Sequence, residues 1–201
     1  ANSSVSHLMQ NMADAFEQLA ADPNKTLTQQ GAVSATTNVL TKLDDMSNEI
    51  QDLREAADKE IEDAVTSLNN TLATIETLNT AISKAVAADT PSSDLRDSLD
   101  IAIKEISSFM DISYFFKSDG RVAIYTQSGR PLIDETASTL SHTASSISTS
   151  IVYPTNINAL NVGSTDITTE LRNGKLKALV DLRDTELPNL QTELETLAST
   201  L

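Results

Sequence analysis

Acid–base, metal and nucleophilic chemistry each need particular residue types at particular spacings, and this 201-residue chain offers few of them. The two histidines, His7 and His142, have no paired carboxylates at ligand spacing beside them, and the chain has no cysteine. A zinc or iron centre therefore lacks its usual donor set. The five glycines form neither a Gly-x-Gly-x-x-Gly nor a Gly-Lys-Ser/Thr loop, so no phosphate-cradling turn is present. Serine and aspartate are abundant, which leaves a Ser–His–Asp arrangement open on composition, yet no serine sits in a Gly-x-Ser-x-Gly turn. Ser118-Asp119-Gly120 is too short for a calcium loop and reads as a hairpin turn. The sequence nominates no catalytic, cofactor-binding or metal-binding residue and no cofactor. The expectation is a protein that is not an enzyme.

The charge balance narrows the choice of partner. A net charge of −15, with no basic cluster against it, gives nucleic acid and anionic membrane surfaces the wrong sign of attraction. No apolar run approaches the roughly 18 residues needed to cross a bilayer, and no signal peptide stands at the start. Export by a route that removes nothing, or excision from a longer protein, is the expectation. The length suffices for one buried core, or for a helical bundle with a small second unit.

The element that organises the chain is a stripe of apolar residues between about Val33 and Val86. Leu43, Met46, Ile50, Leu53, Ala57, Ile61, Val65, Leu68, Leu72, Ile75, Ile82 and Val86 follow one another at steps of three or four. The one exception is the gap from Ile75 to Ile82, where Asn79 occupies the expected position. That is one face of one helix of about 54 residues, a rod of roughly 80 Å. Three successive steps of four between Leu53 and Val65 insert a residue into the heptad rhythm and relax supercoiling locally. The acidic run of Asp44, Asp45, Asp52, Glu55, Asp58, Glu60, Glu62 and Asp63, with Lys59, reads as the solvated face.

Around that helix the chain reads as follows. Val5, Leu8, Met9, Met12, Phe16 and Leu19 form one face of a first helix, over about 3–21, ended by Asp22-Pro23-Asn24. Thr26 or Thr28 is positioned to cap the long helix, over about 28–88, and Thr90-Pro91-Ser92-Ser93 stops it. A third helix, over about 95–110, capped by Ser93 or Asp94, returns antiparallel with Leu95, Leu99, Ala102, Ile103, Ile106 and Phe109 on its face. Ile112 to Lys117 and Arg121 to Thr126 then form a hairpin with Gly120 at positive φ, and Gln127 to Pro131 turns into Leu132 and Ile133. Five of the seven aromatics lie between Phe109 and Tyr125, as packing of a small sheet on the third helix would require; a carbohydrate or base-stacking platform is the sharper alternative. Thr136 to Ser150 holds ten serines and threonines and reads as a linker or as hydroxylated strands. Ile151 to Tyr153 and Ile157 to Val162 read as short strands. A last helix over 173–201 carries a leucine face, and Pro188 should bend it. Its pattern stops at Leu201 without a cap, as a truncated chain would.

The fold expected is therefore α+β and mainly α. An elongated antiparallel helical bundle or coiled coil, 1–110 with 173–201, carries a small antiparallel β subdomain over 111–172.

Certain segments carry a resemblance. Ala178 to Leu197, ALVDLRDTELPNLQTELETL, resembles the Leu-x-Leu-Arg-Asp-x-x-Leu-Pro segment of the FlgK family, the flagellar hook-associated proteins of the hook–filament junction. Asn173-Gly174-Lys175-Leu176 is similar to the entry of that helix, and Ile75 to Ile82 to the family's Ile-x-x-Leu-Asn-x-x-Ile. The helix from Asp94 to Ser107, then Ser118 to Val122 and Gly129 to Leu132, follow the family's order of helix, Asp-Gly hairpin and Gly-x-x-Leu turn. Where the family has Leu-Asp-x-Arg-Asp, this chain puts Leu99 at the arginine position, leaving Arg96 as the residue that would substitute.

The resemblance implies a central fragment of a secreted structural subunit, exported unfolded through the flagellar type III apparatus and located extracellularly at the hook–filament junction. It implies the hook protein, the second junction protein and copies of itself as neighbours, and an export chaperone for the full-length protein. The isolated chain is expected to be an elongated monomer, because the terminal segments that polymerise the family lie outside it. An extracytoplasmic ligand-binding bundle of a chemoreceptor-like sensor is the main alternative. A phage-tail or adhesin stalk is a second, though the seam shows no repeat.

Overall fold

The structure, a computed structural model, describes residues 4–201. The expected start of the first helix at residue 3 lies outside the described residues. Helix α1 (Val5–Ala21) begins at Ser4, whose hydroxyl accepts from the backbone N–H of His7. Helix α2 (Thr26–Ala87) runs unbroken for 62 residues, and α3 (Ser93–Phe109) follows it. Three strands, β1 (Ile112–Phe116), β2 (Val122–Thr126) and β3 (Pro131–Ile133), form one antiparallel sheet in that order. A second sheet is made of β4 (Leu140–Ser141), β5 (Asn161–Val162) and β6 (Thr165–Asp166). After a 3₁₀ turn at Thr168–Glu170 come α4 (Lys175–Asp181), a π-helical segment at Leu182–Glu186, and α5 (Leu187–Ser199). The fold is mainly α with a small antiparallel β portion.

The chain divides into two compact units, and α2 contributes to both. One comprises the chain up to Asp52 with Leu187–Leu201; the other is Leu53–Glu186. In the first, Val39, Leu43 and Ile50 of α2 and Leu187 and Leu194 of α5 form a core, lined by Val5, Leu8, Met9 and Met12 of α1. No residue of α1 is fully buried, and Phe16 is half exposed. In the second, Ile61 to Ile82 of α2 pack with Leu99, Ala102, Ile103 and Ile106 of α3 and with both sheets.

The apolar stripe of α2 differs from the sequence expectation at two points. Leu53 and Val86 are substantially exposed, and Arg54 takes the buried position that Leu53 was expected to hold. Asp58, placed with the solvated carboxylates, is completely buried. The exposure of Leu53 and the burial of Asp58 have one cause. At 3.6 residues per turn the seam continues from Ile50 through Arg54, Ala57 and Ile61, so the surplus step in the apolar rhythm marks two polar residues in the core. Lys59, Glu62 and Asp63 do lie on the outer face, where they pair with one another.

Two asparagines on α2 close sheet edges. Asn79, at the gap in the stripe, donates through Nδ2 to the carbonyl of Val122 and accepts from its N–H through Oδ1, both at 2.8 Å. Asn69 makes the same pair of bonds with Leu140 at 2.9 Å. Each amide thus occupies the place of a neighbouring strand.

The hairpin is in register as expected, with Phe116 opposite Val122 and Ile112 opposite Thr126. Gly120 adopts φ +85° in the turn. The aromatic cluster does not pack as expected. Phe109 is partly buried against the core, but Tyr114, Phe115 and Phe116 are each about half exposed (50–53%). The reason is topological: the central strand β2 supplies the buried Val122, Ala123 and Ile124, whereas β1 is an edge. Tyr114 and Phe116 meet edge to face with ring centres 6.0 Å apart, and Phe115 stacks on Tyr125 at 5.9 Å.

Three further elements differ from expectation. The cap position of α3 is Ser92, and its hydroxyl accepts from Arg96 Nε at 3.3 Å rather than capping a backbone N–H. Leu99, by contrast, lies as expected on the packed face of α3 and is fully buried in the core. Ile151 to Tyr153 is not a strand, because the Ile151 N–H bonds Ser148 and its carbonyl accepts from Arg54. Near Pro188, which has no N–H for the Asp184 carbonyl, the helix passes through the π segment, where hydrogen bonds reach one residue further.

Candidate functional site

The densest chemistry in the described residues is a buried charged cluster within the Leu53–Glu186 unit. Helix α2 supplies Arg54 and Asp58, one turn apart on the seam; the π segment supplies Arg183; and the Ser/Thr-rich stretch after β4 supplies His142 and Ser145.

Asp58 sits at its centre. Its Oδ1 accepts from His142 Nε2 at 2.9 Å and from Arg183 Nη1 at 2.5 Å, while Oδ2 accepts from the Ser145 N–H at 2.7 Å. Arg183 also holds its neighbour Asp184 through two parallel bonds of 2.8 and 2.7 Å. Arg54 reaches three main-chain carbonyls: Nε donates to that of Arg183 at 3.0 Å, Nη1 to that of Ser148 at 3.2 Å, and Nη2 to that of Ile151 at 2.7 Å. Among the described residues no buried side-chain nitrogen or oxygen is left without a partner.

The electrostatics follow from those contacts. Burial by itself pushes the Asp58 carboxyl up, but hydrogen bonds from His142, the Ser145 N–H and Arg183, with the Arg183 charge, outweigh it, and the group lies below the usual carboxylate range. Burial likewise pulls the Arg183 guanidinium down, and Asp184 and Asp58 more than restore it. A buried carboxylate is tolerated here because it is fully hydrogen-bonded and paired.

The geometry suits architecture rather than catalysis. His142 points Nε2 at Asp58 and Nδ1 at the carbonyl of Ala159, 3.3 Å away. Neither nitrogen faces a serine hydroxyl, so the Ser–His–Asp possibility left open by composition does not form at His142. The His142 and Asp58 side chains are both inaccessible to solvent. His7 lies exposed on the first turn of α1. Among the described residues, no group of three or more histidines, cysteines or carboxylates is arranged to hold a metal ion. What the cluster does is fasten three distant segments together: the seam of α2, the loop 142–151 and the π segment.

A second charged contact serves the outer side of the same unit. Glu170, on the 3₁₀ turn, accepts from Arg130 and from Ser128 of the β2–β3 turn. The Arg130 guanidinium and the Ser128 hydroxyl hold the Glu170 carboxyl down to about 2.

Sequence reasoning missed the buried cluster. The available signal was the run of three four-residue steps, which brackets Arg54 and Asp58; the pairing with His142 and Arg183 spans 84 and 125 residues and leaves no local trace.

Comparison with known proteins adds three findings. Residues 1–201 match the family model described as the helical domain of the flagellar hook-associated protein FlgK. No curated protein sequence matches the chain. Its fold is similar to the structure of the flagellar hook junction protein FlgK from Burkholderia pseudomallei, with a TM-score of 0.81 and 20% identity over 96% of this chain. The chain spans 35% of that protein's length.

Proposed function

The chain belongs to the FlgK family of flagellar hook-associated proteins, whose helical domain it carries, and from that premise we propose that it is a structural piece of the flagellar axis, serving at the junction of hook and filament. The observation that carries this reading is the match of the family model over residues 1–201. The described residues fit a mechanical role. Their most elaborate polar cluster is solvent-inaccessible and saturated with internal partners, as a fastening should be.

In this reading the hook protein, the second junction protein and copies of the same subunit are its neighbours in the assembled flagellum. The full-length protein travels unfolded through the flagellar export apparatus to the extracellular junction, with a dedicated export chaperone, and carries no catalytic activity. The isolated chain is monomeric.

Immunogold labelling of cells bearing sheared and intact flagella, with antibody raised against this chain, tests the proposal. Gold at the tips of bare hooks and at the base of intact filaments is the expected result. Gold spread over the cell envelope with unlabelled hooks would overturn it.

A further inference from the structure

Asn173-Gly174 is the one Asn-Gly pair in the sequence, and the junction role gives it no part. Such a pair is reactive because the main-chain nitrogen after an asparagine lies within reach of the side-chain carbonyl carbon. Glycine puts no side chain in the way. The fold itself demands glycine there. Gly174 adopts φ +90°, and a Cβ would stand 2.5 Å from the carbonyl oxygen of Phe109 and 2.8 Å from the main-chain nitrogen of Met110. Its own nitrogen is unengaged: among the described residues the Gly174 N–H donates to nothing, while its carbonyl accepts from Ala178 in the first turn of α4. Residues 172 to 175 are all exposed.

Elsewhere the same chemistry is blocked. Asn69 and Asn79 each hold a strand edge through both ends of the amide, inside α2, where the next N–H belongs to the helix. Asn24 is followed by the Lys25 N–H, which donates to the carbonyl of Asp22. Asp119-Gly120 is the equivalent aspartyl pair. There the Gly120 N–H donates to the Lys117 carbonyl at 3.0 Å, and Arg121 holds the Asp119 carboxylate.

The reaction needs only water. A base from solvent removes the Gly174 N–H proton, the nitrogen bonds to Cγ of Asn173, and the Cγ–Nδ2 bond breaks. Nδ2 takes a proton from water and leaves as ammonia, and the ring that remains is a succinimide. Water then opens it at either carbonyl, giving aspartate, or isoaspartate in which the main chain runs through Cβ and Cγ. In sum, an amide and a water become a carboxylic acid and ammonia.

The surrounding fold registers the change. Asn173 Nδ2 donates to Asp111 Oδ2 at 2.9 Å, just before β1. Either product loses that donor and sets a second carboxylate beside Asp111. Arg172, which lines the same small hollow as Asp111, is exposed and offsets the repulsion only in part, and Lys175 is engaged by Glu60. Isoaspartate also adds a main-chain carbon directly before Gly174, which already lies against Phe109. The segment so displaced leads into α4, whose Leu176 and Val180 are buried.

We propose that Asn173 is a site of spontaneous deamidation in the folded protein, and that loss of its bond to Asp111 loosens the start of α4. Each molecule thus carries a mark of its age at a place where the fold feels it. The inference rests on this loop alone and is independent of the flagellar reading.

The native 201-residue chain and a synthetic peptide of residues 171–186 are incubated side by side in warm, mildly alkaline buffer. Cleavage after glutamate releases the same segment from the protein, and mass spectrometry with chromatographic separation of the isomers follows the conversion. The protein should gain one mass unit at Asn173, as aspartate and isoaspartate, with no isoaspartate at Asp119. Conversion of the peptide with none in the protein would overturn the site, since the fold would then protect it. Asn173→Asp should speed hydrogen exchange of the α4 amides roughly fivefold, the worth of one hydrogen bond. Asp111→Asn combined with Asn173→Asp exchanges donor and acceptor and should restore wild-type exchange. Unchanged exchange in the single variant, or no recovery in the double, would overturn the link to α4.

Discussion

Asp58 and His142 are joined by a 2.9 Å hydrogen bond across 84 residues of chain, and both side chains are closed to solvent. A bond of that kind fixes a loop to a helix at one point, and its loss should be felt by the whole unit.

Asp58→Ala leaves Arg183 facing an empty position while still buried. Breaking such a pair from one side costs about 3–5 kcal/mol. Asp52→Ala, on the exposed face of the same helix, should stay within about 0.5 kcal/mol. Urea unfolding followed by circular dichroism at pH 7 separates them, and equal losses would show that the cluster carries no special share of the stability.

The same carboxyl predicts a pH dependence. Its folded value lies below the ordinary one, because the bonds from His142, Ser145 and Arg183 outweigh the upward push of burial. The unfolded chain therefore binds the proton more readily in acid. The contribution is complete above the ordinary carboxylate value of about 3.9 and is lost as pH falls through the lower folded value. Unfolding free energies of wild type and Asp58→Asn should differ at pH 5 and converge as the pH falls below about 4. A difference that holds unchanged at the acid end would contradict this linkage.

Asn79→Leu completes the apolar stripe and by pattern alone should stabilise. The structure gives the opposite sign. Leucine would strand the N–H and carbonyl of Val122 in a buried place, at about 1–3 kcal/mol for an unmet group. Thermal unfolding of this one variant decides between pattern and geometry.

Leu68 and Leu53 belong to the same sequence stripe but differ in burial, 1% against 46% exposed. Leu68→Ala should cost about 2–5 kcal/mol, as deletions in well-packed cores do. Leu53→Ala should cost about 1 kcal/mol, since only about half of its surface leaves water on folding. Similar losses from the two would place the seam where the apolar residues alone put it.

Much of the fold was legible because it is periodic. The long helix, the return of α3, the hairpin and the positive φ at Gly120 each follow from spacing within a few residues. Two kinds of feature were not. Arg54 and Asp58 are charged residues in seam positions, and hydropathy places any charge outside until a distant partner is known. The exposure of Tyr114, Phe115 and Phe116 depends on which strand of a three-stranded sheet becomes its edge. Strand order is a property of the assembled sheet and has no period to read. The stretch Thr136–Ser150 was ambiguous for a related reason: its hydroxyl side chains say little, and its anchoring comes from elsewhere in the chain.

That anchoring has an evolutionary consequence. Arg54 grips the carbonyls of Ser148 and Ile151, and Asp58 grips the N–H of Ser145. All three are groups that nearly every amino acid supplies at the same place. Apart from His142 and the buried Ile147, the helix imposes on this loop a length and a path but hardly a vocabulary. Related chains should accept wholesale replacement of its serines and threonines, yet resist a single insertion or deletion between 143 and 150, which would carry the next carbonyl past the guanidinium waiting for it.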